Sequence, residues 1–372
     1  MPALNSRSES GTTPRRHYAA GPEAASVTLQ DVATEARVSL ATASRALHGG
    51  SRGVRSENRE RVLAAAARLG YVPNASAQAT AKGSTRTVAL VVSDVADPYY
   101  SAIAAGVTDA AEANGLVVTM TVADRSPHRE LELVRGLRGH RPQIIVVAGS
   151  RIDDSETEQE LIDELAQYRA TGGRVVLISQ PGLPFPTVTI DNAHGAETLA
   201  RTLAEAGYRR YSIICGPDRI KTSLDRCRGF TTGLRASGIE ADDQVLIRTQ
   251  FTRSGGYDAA RELVERGLGD IELVFAVSDT MAIGVMTALR DSGLEPGRDV
   301  AVAGFDDISS AIDVVPALTT VAVPLREAGI EAVRLALSDD EARPVRIPTT
   351  VHVRESTPRA QAAGRSANGP AT

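Results

Sequence analysis

Residues Val27 to Leu47 read VTLQDVATEARVSLATASRAL, a stretch that predicts two short helices joined by a tight turn. Thr28 can cap the first helix, with Asp31 three residues further on completing a capping box. Four apolar residues then follow the spacing of a single helical face: Leu29, Val32, Ala33 and Ala36. We therefore expect a first helix from about Leu29 to Ala36.

The second predicted helix presents a small, polar and basic face. Residues 37–39 are too few for anything but a turn, and Ser39 can cap a new helix that runs from Leu40 to Leu47. Burial of Ala43 and Leu47 would turn five residues outward: Leu40, Ala41, Thr42, Ser44 and Arg45. The two helices together have the organisation of a helix-turn-helix motif, whose second helix can enter the major groove of DNA.

A third helix is predicted to complete the core of this head. It is capped at Ser56 and ends at Gly70, the residue type preferred just past a helix C-terminus. Its apolar side would consist of Val62, Ala66 and Leu69. Because helices this short are stable only when they pack together, we expect residues 27–73 to form one all-α DNA-binding domain.

Charge divides the chain into a basic head and an acidic body. The 372 residues carry a net charge of −5, but residues 1–86 carry +6 and residues 87–372 carry −11. This asymmetry is typical of a protein that offers only one end to phosphates. The apolar content of 42% and charged content of 23% are those of a globular protein with two or three domains.

The body alternates short β-branched runs with helical stretches, which predicts right-handed βαβ units and parallel sheets. The predicted strands are Val88–Ser93, Val117–Val122, Ile144–Ala148 and Val175–Ile178, then Ser212–Cys215, Asp243–Arg248, Leu273–Ala276 and Val300–Ala303. We expect a two-lobed α/β core over residues 87–355. The first lobe would comprise about 87–188 and 320–343, and the second about 189–318 and 344–355.

The remaining segments indicate a cytoplasmic, nucleoid-associated protein with no membrane partner. Residues 1–26 contain no apolar signal-peptide segment, and we expect this extension and the tail at 356–372 to be disordered. Cys215 and Cys227 follow no metal-ligand pattern and indicate no disulfide framework.

From Val27 through Gly83, and more loosely to about Glu355, the chain resembles the lactose-repressor/galactose-repressor (LacI/GalR) family of bacterial transcription regulators. The matching residues are Val27-Thr28-Leu29, Asp31-Val32-Ala33, Val38-Ser39, Thr42, Ser44-Arg45, Leu47 and Gly70-Tyr71-Val72-Pro73-Asn74. The resemblance implies a repressor that binds a pseudo-palindromic operator as a homodimer. It also implies a periplasmic-binding-protein-like architecture for the core, with a small effector between the lobes.

The resemblance places the operator contacts on the helix-turn-helix and on a hinge linker at residues 74–86. Base edges would be read by Leu40, Ala41 and Arg45, with Ser39, Thr42 and Ser44 nearer the phosphates. The full set of expected DNA-binding residues is Thr28, Leu29, Ser39, Leu40, Ala41, Thr42, Ser44, Arg45, His48, Asn74, Ala77 and Thr80.

Two residues depart from the family pattern. In the family the hinge inserts a leucine into the minor groove, whereas Thr80 stands at that position here, so either the DNA is kinked less or the register differs. Arg37 stands where the family usually has glycine in the turn. A left-handed arginine costs about 1–2 kcal/mol, so Arg37 either tolerates strain or makes a compensating phosphate contact.

Ligands of parallel α/β sheets bind beyond the carboxyl ends of the strands, which directs attention to the loops that follow each predicted strand. The resemblance marks an Asp97-Pro98-Tyr99-Tyr100 turn, an Arg226-x-x-Gly229-Phe230 motif and a Gly304–Asp307 motif as facing the effector. The expected effector-binding residues are Asp97, Tyr99, Asp124, Ser150, Ser179, Asp191, Arg226, Phe251, Ser278, Asp279 and Asp306.

The residues of this set favour a sugar-like effector. Arg226 and Asp306 can each bind adjacent hydroxyls, and Phe251 can stack on an apolar face. For Asp279 a purely structural role stays open, since it could cap a helix that starts at Thr280.

Two other classes of protein, an enzyme and a solute-binding protein, agree less well with the sequence. An enzyme would need a nucleophile, a base or a cofactor loop, but the sequence contains no such motif and its six histidines are scattered, so we expect no catalytic residue, no cofactor and no metal. A solute-binding protein of the same two-lobed fold would need an export signal and would have no use for a basic helix-turn-helix.

Overall fold

A computed structural model describes a helical head and an α/β core. The described residues are 27–48, 54–72, 85–152, 154–240, 244–338 and 345–358. The chain divides into two compact units, Met1–Ala75 and Ser76–Thr372. The predicted extension at 1–26 and the hinge residues Asn74, Ala77 and Thr80 lie outside the described part of the chain.

Three helices form the head: α1 (Leu29–Glu35), α2 (Leu40–His48) and α3 (Ser56–Leu69). The predicted capping box opens α1. Thr28 Oγ1 accepts a hydrogen bond from Asp31 N (3.3 Å), and Asp31 Oδ2 accepts one from Thr28 N (2.8 Å). These two bonds satisfy backbone donors that the first helical turn leaves free.

The prediction for α3 is confirmed at its C-terminal end and is wrong by one residue at its N-terminal end. Gly70 ends the helix with φ 64°, a left-handed conformation that glycine adopts without strain. At the start, however, Ser56 is the first helical residue rather than the cap. Arg55 occupies the cap position and makes no side-chain capping hydrogen bond.

The turn between α1 and α2 holds a strained residue. Arg37 has φ 53°, the left-handed conformation expected from its position. Val38 N donates to Ala33 O (3.0 Å) and closes the turn. Small residues fill the core beneath it, which lets the three helices approach closely: Val32, Ala33, Ala36, Ala43, Ala46, Val62, Ala65 and Ala66.

The first lobe of the core is built on a six-stranded parallel sheet. Its strands are β1 (Thr87–Val92), β2 (Val117–Val122), β3 (Ile144–Ala148), β4 (Arg174–Ile178), β5 (Thr187–Ile190) and β11 (Val345–Ile347). They lie in the order β11-β5-β4-β3-β1-β2. The helices of this lobe are α4 (Pro98–Ala113), α5 (Pro127–His140), α6 (Ser155–Ala170) and α11 (Leu325–Leu337). In β1, Leu90 and Val91 belong to different apolar clusters, so helices bury both faces of the sheet.

The second lobe repeats the arrangement on a four-stranded parallel sheet. Its strands are β6 (Tyr211–Cys215), β7 (Gln244–Arg248), β8 (Leu273–Ala276) and β9 (Ala301–Ala303), in the order β7-β6-β8-β9. Its helices are α7 (Asn192–Glu205), α8 (Lys221–Ala236), α9 (Arg253–Glu265) and α10 (Asp279–Asp291). The predicted parallel-sheet core is confirmed, and the predicted strand ends differ from the observed ones by at most one residue.

The crossovers between the lobes correct the predicted boundaries. Strands β10 (Thr320–Ala322) and β12 (Thr350–His352) pair antiparallel as a small separate sheet. Residues 345–347 were assigned to the second lobe, but β11 pairs with β5 in the first (Val345 with Val188). The last crossover therefore follows Ile347, because an edge strand is placed by its hydrogen-bonded neighbour rather than by its own short sequence.

The ordered core also extends past the predicted start of the tail. Ser356 and Thr357 are both buried. Ser356 Oγ donates to Val302 O (2.6 Å), and the hydroxyls of Thr357 and Thr319 lie 2.6 Å apart. The tail therefore cannot begin at Ser356. Across the described residues, none of the helices combines the length and the apolar character needed to cross a membrane.

Candidate functional site

The outward face of α2 in the head carries the residues that the sequence predicted there. Leu40, Ala41 and Arg45 are exposed, and Thr42 and Ser44 are half-buried. Arg45 Nε donates to Ala41 O (3.1 Å), one turn back along the helix. Thr28 is exposed as well, Leu29 is half-buried, and His48 is the last residue of α2.

A cleft between the two lobes of the core brings together loops that follow strands of both sheets. It has an empty volume of about 680 Å³, which includes space open to solvent. The residues that line it are Ser93, Asp97, Tyr99, Tyr100, Arg125, Gly149, Ser150, Ile152, Ile178, Ser179, Gln180, Ile190, Asn192, Ile220, Thr222, Arg226, Phe251 and Asp306. The cleft lies at the carboxyl ends of the strands, as expected for parallel α/β sheets.

Arg226 on α8 is the centre of the cleft floor, although its side chain is only 1% exposed. Its guanidinium donates three hydrogen bonds: Nε to Asn192 Oδ1 (2.8 Å), Nη1 to Val277 O (2.8 Å) and Nη2 to Asp306 Oδ1 (2.7 Å). It also lies over the ring of Phe305, 4.0 Å from the centroid. These partners fix the guanidinium plane at the cleft floor.

Two glycines of the recognised motifs make this arrangement possible. A Cβ at Gly229 would lie 2.1 Å from Ala193 O, so only glycine lets α8 approach the start of α7 and bring Arg226 to Asn192. A Cβ at Gly304 would lie 2.2 Å from Asp279 Oδ1. Both glycines are therefore required by close packing, the second one next to a buried carboxylate.

Asp306 is buried and has an unusual backbone conformation, with φ 122°. Burial raises the pKa of Asp306 to about 8, against the opposing effect of the Arg226 cation. Burial likewise raises the pKa of Asp279 to about 6, although Asp279 accepts hydrogen bonds from Thr320 Oγ1 (2.6 Å) and Ile308 N (3.0 Å). Two buried carboxyl groups therefore lie behind the cleft, and only Asp306 reaches it.

Arg125 supplies the second cation of the cleft, from the first lobe. It pairs with Asp94 (3.2 Å) and Asp97 (3.4 Å) and lies 5.5 Å from the ring centroid of Phe251 in the second lobe. Asp97 also caps α4, since its side chain accepts from Tyr99 N (3.1 Å). Each guanidinium of the cleft is thus already paired with a carboxylate.

The lobes contact each other directly along the rim of the cleft. Ser150 Oγ accepts from Thr222 N (3.0 Å), and Gln180 Nε2 donates to Thr222 Oγ1 (2.6 Å). Thr280 Oγ1 donates across a second part of the interface to Asp97 Oδ1 (3.4 Å). A molecule bound in the cleft would touch both lobes, so its binding would depend on how far they close.

Seven of the predicted effector residues line the cleft: Asp97, Tyr99, Ser150, Ser179, Arg226, Phe251 and Asp306. Four predicted residues do not. Asp124 is exposed with φ 54°, and Asp191 pairs with Arg346 (2.7 Å). Ser278 caps α10, while Asp279 is the first residue of that helix and is buried behind the cleft. A structural role for Asp279 at the start of the helix is thus favoured over a role in effector binding. The cap itself is Ser278 rather than Asp279.

Sequence reasoning missed several of the lining residues, among them Arg125, Gln180 and Thr222. Arg125 and Gln180 each follow a predicted residue by one position, so the loops were recognised but the orientation of their side chains was not. Asn192 similarly reaches the cleft in place of its neighbour Asp191. Thr222 carries no signal of its own, because its contacts with Ser150 and Gln180 come from the other lobe.

Comparison with known proteins agrees with both parts of the structure. Residues 28–74 match the model of bacterial regulatory proteins of the lacI family, and residues 200–357 match a periplasmic binding protein-like domain. The HTH-type transcriptional regulator GalR of Escherichia coli (strain K12) is 32% identical, covering 86% of this chain and 90% of GalR. CelR of Thermobifida fusca is 33% identical, covering 88% of this chain and 98% of CelR.

Solved structures show the same relationship. A complex of the transcriptional regulator CelR with cellobiose has a TM-score of 0.64 at 33% identity, covering 89% of this chain and 99% of that one. The lac repressor dimer bound to operator and the anti-inducer ONPF has a TM-score of 0.77 at 23% identity, covering 90% and 99%, and so shares the fold. With a helix-turn-helix head, a two-lobed core and relatives at this level of identity, the chain belongs to the LacI family of bacterial regulatory proteins.

Proposed function

We propose that this protein is a transcriptional repressor whose affinity for an operator is controlled by a small, sugar-like effector in the cleft of the core. The observation that carries the proposal is that one chain combines the exposed face of α2 with a cleft built around Arg226 and Asp306. Its proposed partner is chromosomal DNA, so we place it in the cytoplasm on the nucleoid and assign it no catalytic role.

DNA binding is proposed to run through α2, with Arg45 as the main polar reader of a base. A guanidinium can donate two hydrogen bonds to guanine O6 and N7, a contact worth about 1–3 kcal/mol of discrimination. Arg45→Ala is therefore expected to reduce the preference for operator over competitor DNA by roughly 5- to 150-fold. Competition binding at fixed salt measures this ratio.

The control for Arg45→Ala is Arg59→Ala, which removes an exposed charge from α3. It should lower affinity for all sequences alike, because loss of a phosphate-attracting charge carries no base information. Unchanged operator selectivity in Arg45→Ala would contradict the proposed role of this residue.

The effector is proposed to be an uncharged molecule with several hydroxyl groups. Hydroxyl and amide side chains surround the cleft and Phe251 offers an aromatic face, which suits a sugar ring. Arg125 and Arg226 are each hydrogen-bonded to acidic side chains inside the protein, which leaves fewer of their donors available for a phosphate. The relative CelR, solved with cellobiose, supports the same ligand class.

Thermal-shift measurements on the full chain test the ligand class. We expect a neutral sugar to raise the melting temperature, because a ligand that binds only the native state stabilises it, whereas the phosphate ester of the same sugar should have little effect. A shift produced only by phosphorylated sugars or nucleotides would contradict the proposed chemistry.

A homodimer is proposed as the unit that binds DNA. One helix-turn-helix reads only a half-site, and a twofold pair of heads matches a pseudo-palindromic operator. The core also exposes apolar side chains that a second copy could cover, including Val117 and Met120 on the edge strand β2 and Val315 in a loop of the second lobe. The sequence after Thr357 has no heptad pattern, so no coiled-coil tetramer is proposed.

A further inference from the structure

Two of the three residues on α2 that are proposed to read base edges are apolar, namely Leu40 and Ala41. Leu40 is 47% exposed at the start of the helix, and Ala41 beside it is also exposed. Neither side chain can donate or accept a hydrogen bond. Leu40 does not belong to the apolar core cluster of the head, to which α2 contributes Ala43 and Ala46 instead.

The hydroxyl groups near these residues are already engaged in holding the start of the helix. Ser39 Oγ accepts from Thr42 N (3.2 Å) and lies 2.8 Å from Thr42 Oγ1. This is the usual N-cap arrangement, and it ties both hydroxyls to the first turn. Of the three residues proposed to read base edges, Leu40, Ala41 and Arg45, only Arg45 can hydrogen-bond to a base.

The hydrogen bond that Arg45 makes within α2 leaves it able to contact a guanine. Its Nε donates to Ala41 O (3.1 Å), which leaves the two Nη groups free to act together. Two parallel donors match the O6 and N7 acceptors of guanine in the major groove. Leu40 and Arg45 are five positions apart, which corresponds to about 7.5 Å along the helix, or roughly two base steps of DNA at about 3.4 Å each.

We propose that α2 reads the methyl groups of thymines through Leu40 and Ala41, and a guanine about two base pairs away through Arg45. The inference rests on the proposed DNA-binding function and specifies what the operator half-site contains. Thymine is the one standard base with an apolar group at its major-groove edge. A polar edge facing Leu40 would lose its hydrogen bonds to water without a replacement, so the leucine both favours thymine and disfavours the other bases.

Uracil differs from thymine only by this methyl group, so it provides the sharpest test. A preferred duplex is first selected from a randomised DNA pool with the full-length wild-type protein. Each thymine is then replaced in turn by deoxyuridine, and dissociation constants are measured at fixed salt. We expect one or two positions in each half-site to weaken binding by about fourfold, the loss that corresponds to removing one buried methyl or methylene group.

Two variants assign the effect to the named residue. Leu40→Ala should bind the thymine and deoxyuridine duplexes with nearly equal affinity at the sensitive position. The matched control is Leu63→Ala, which truncates a leucine that is 46% exposed on α3 and should keep the fourfold difference. Leu40→Asn should move the preference at that position to adenine, whose N6 and N7 suit an amide.

Specific binding with equal affinity for every deoxyuridine duplex would overturn this inference while leaving the proposed function intact. The same holds if Leu40→Ala keeps the full sensitivity of the wild type. Failure to enrich any sequence from the pool would overturn the proposed function, and the inference with it.

Discussion

Replacement of Arg226 by methionine is expected to abolish effector binding and to lower the free energy of unfolding of the core by about 3–5 kcal/mol. The side chain is almost completely buried, and its loss leaves Asn192 Oδ1, Val277 O and Asp306 without their donor. Each buried polar group that loses its hydrogen-bond partner costs about 1–3 kcal/mol. Urea unfolding of the core measures the loss of stability, and thermal shift with the sugar that stabilises the wild type measures binding.

A double variant separates stability from binding. Arg226→Met combined with Asp306→Leu removes both charges, and replacing a buried ion pair with apolar side chains is often neutral or stabilising. The double variant should therefore regain most of the lost stability and still fail to bind the sugar. Arg253→Met is the control, since Arg253 is exposed in the same lobe and donates to Thr287 Oγ1 (3.1 Å). Effector binding that survives in Arg226→Met would refute the assigned role.

The stability of the core is expected to fall as the pH rises from about 6 to 8, because of Asp306. Burial raises the pKa of this carboxyl to about 8, from an ordinary value of 3.8. The native state therefore holds a proton that the unfolded chain releases, and the stabilisation is complete below pH 3.8 and lost as the pH passes through about 8. Asp279, with a pKa of about 6, contributes in the same direction at lower pH.

The slope assigned to Asp306 is at most about 1.4 kcal/mol per pH unit. It should disappear in Asp306→Asn, which keeps the shape of the side chain but does not titrate. Asp313→Asn, a change at an exposed position, should leave the pH dependence as it is in the wild type. Urea unfolding at several pH values compares the three proteins. A wild-type slope that persists in Asp306→Asn would show that another group is responsible.

Local patterns in the sequence were sufficient to predict the three helices of the head. The capping box at Thr28, the apolar spacing along α1 and the glycine at position 70 all act within one or two helical turns. The left-handed conformation of Arg37 was implied instead by the family resemblance, because the family usually has glycine at this position. Where interactions extend over only a few residues, their physical basis can be read directly from the order of residues.

Most strands of the core were also predictable, because they are β-branched runs of the length that a parallel sheet requires, and the central ones are buried. The short strands were not. Residues 345–347 were placed in the wrong lobe and Ser356 in the tail, since three residues carry no periodicity and their positions are set by partners such as Val188 and Val302.

In the cleft, the family resemblance marked Arg226 and Asp306 as expected effector-binding residues, and the pattern of parallel strands directed attention to the loops that follow them. Only the tertiary structure decided that Asn192 rather than Asp191 reaches the cleft, that Asp279 is buried behind it, and that Arg125 contributes the second cation. The hydrogen bond between Arg226 and Asp306 joins residues 80 positions apart, and both side chains are buried. Hydrogen-bond partners and desolvation at that range depend on how the lobes pack, so no local pattern in the chain can specify them.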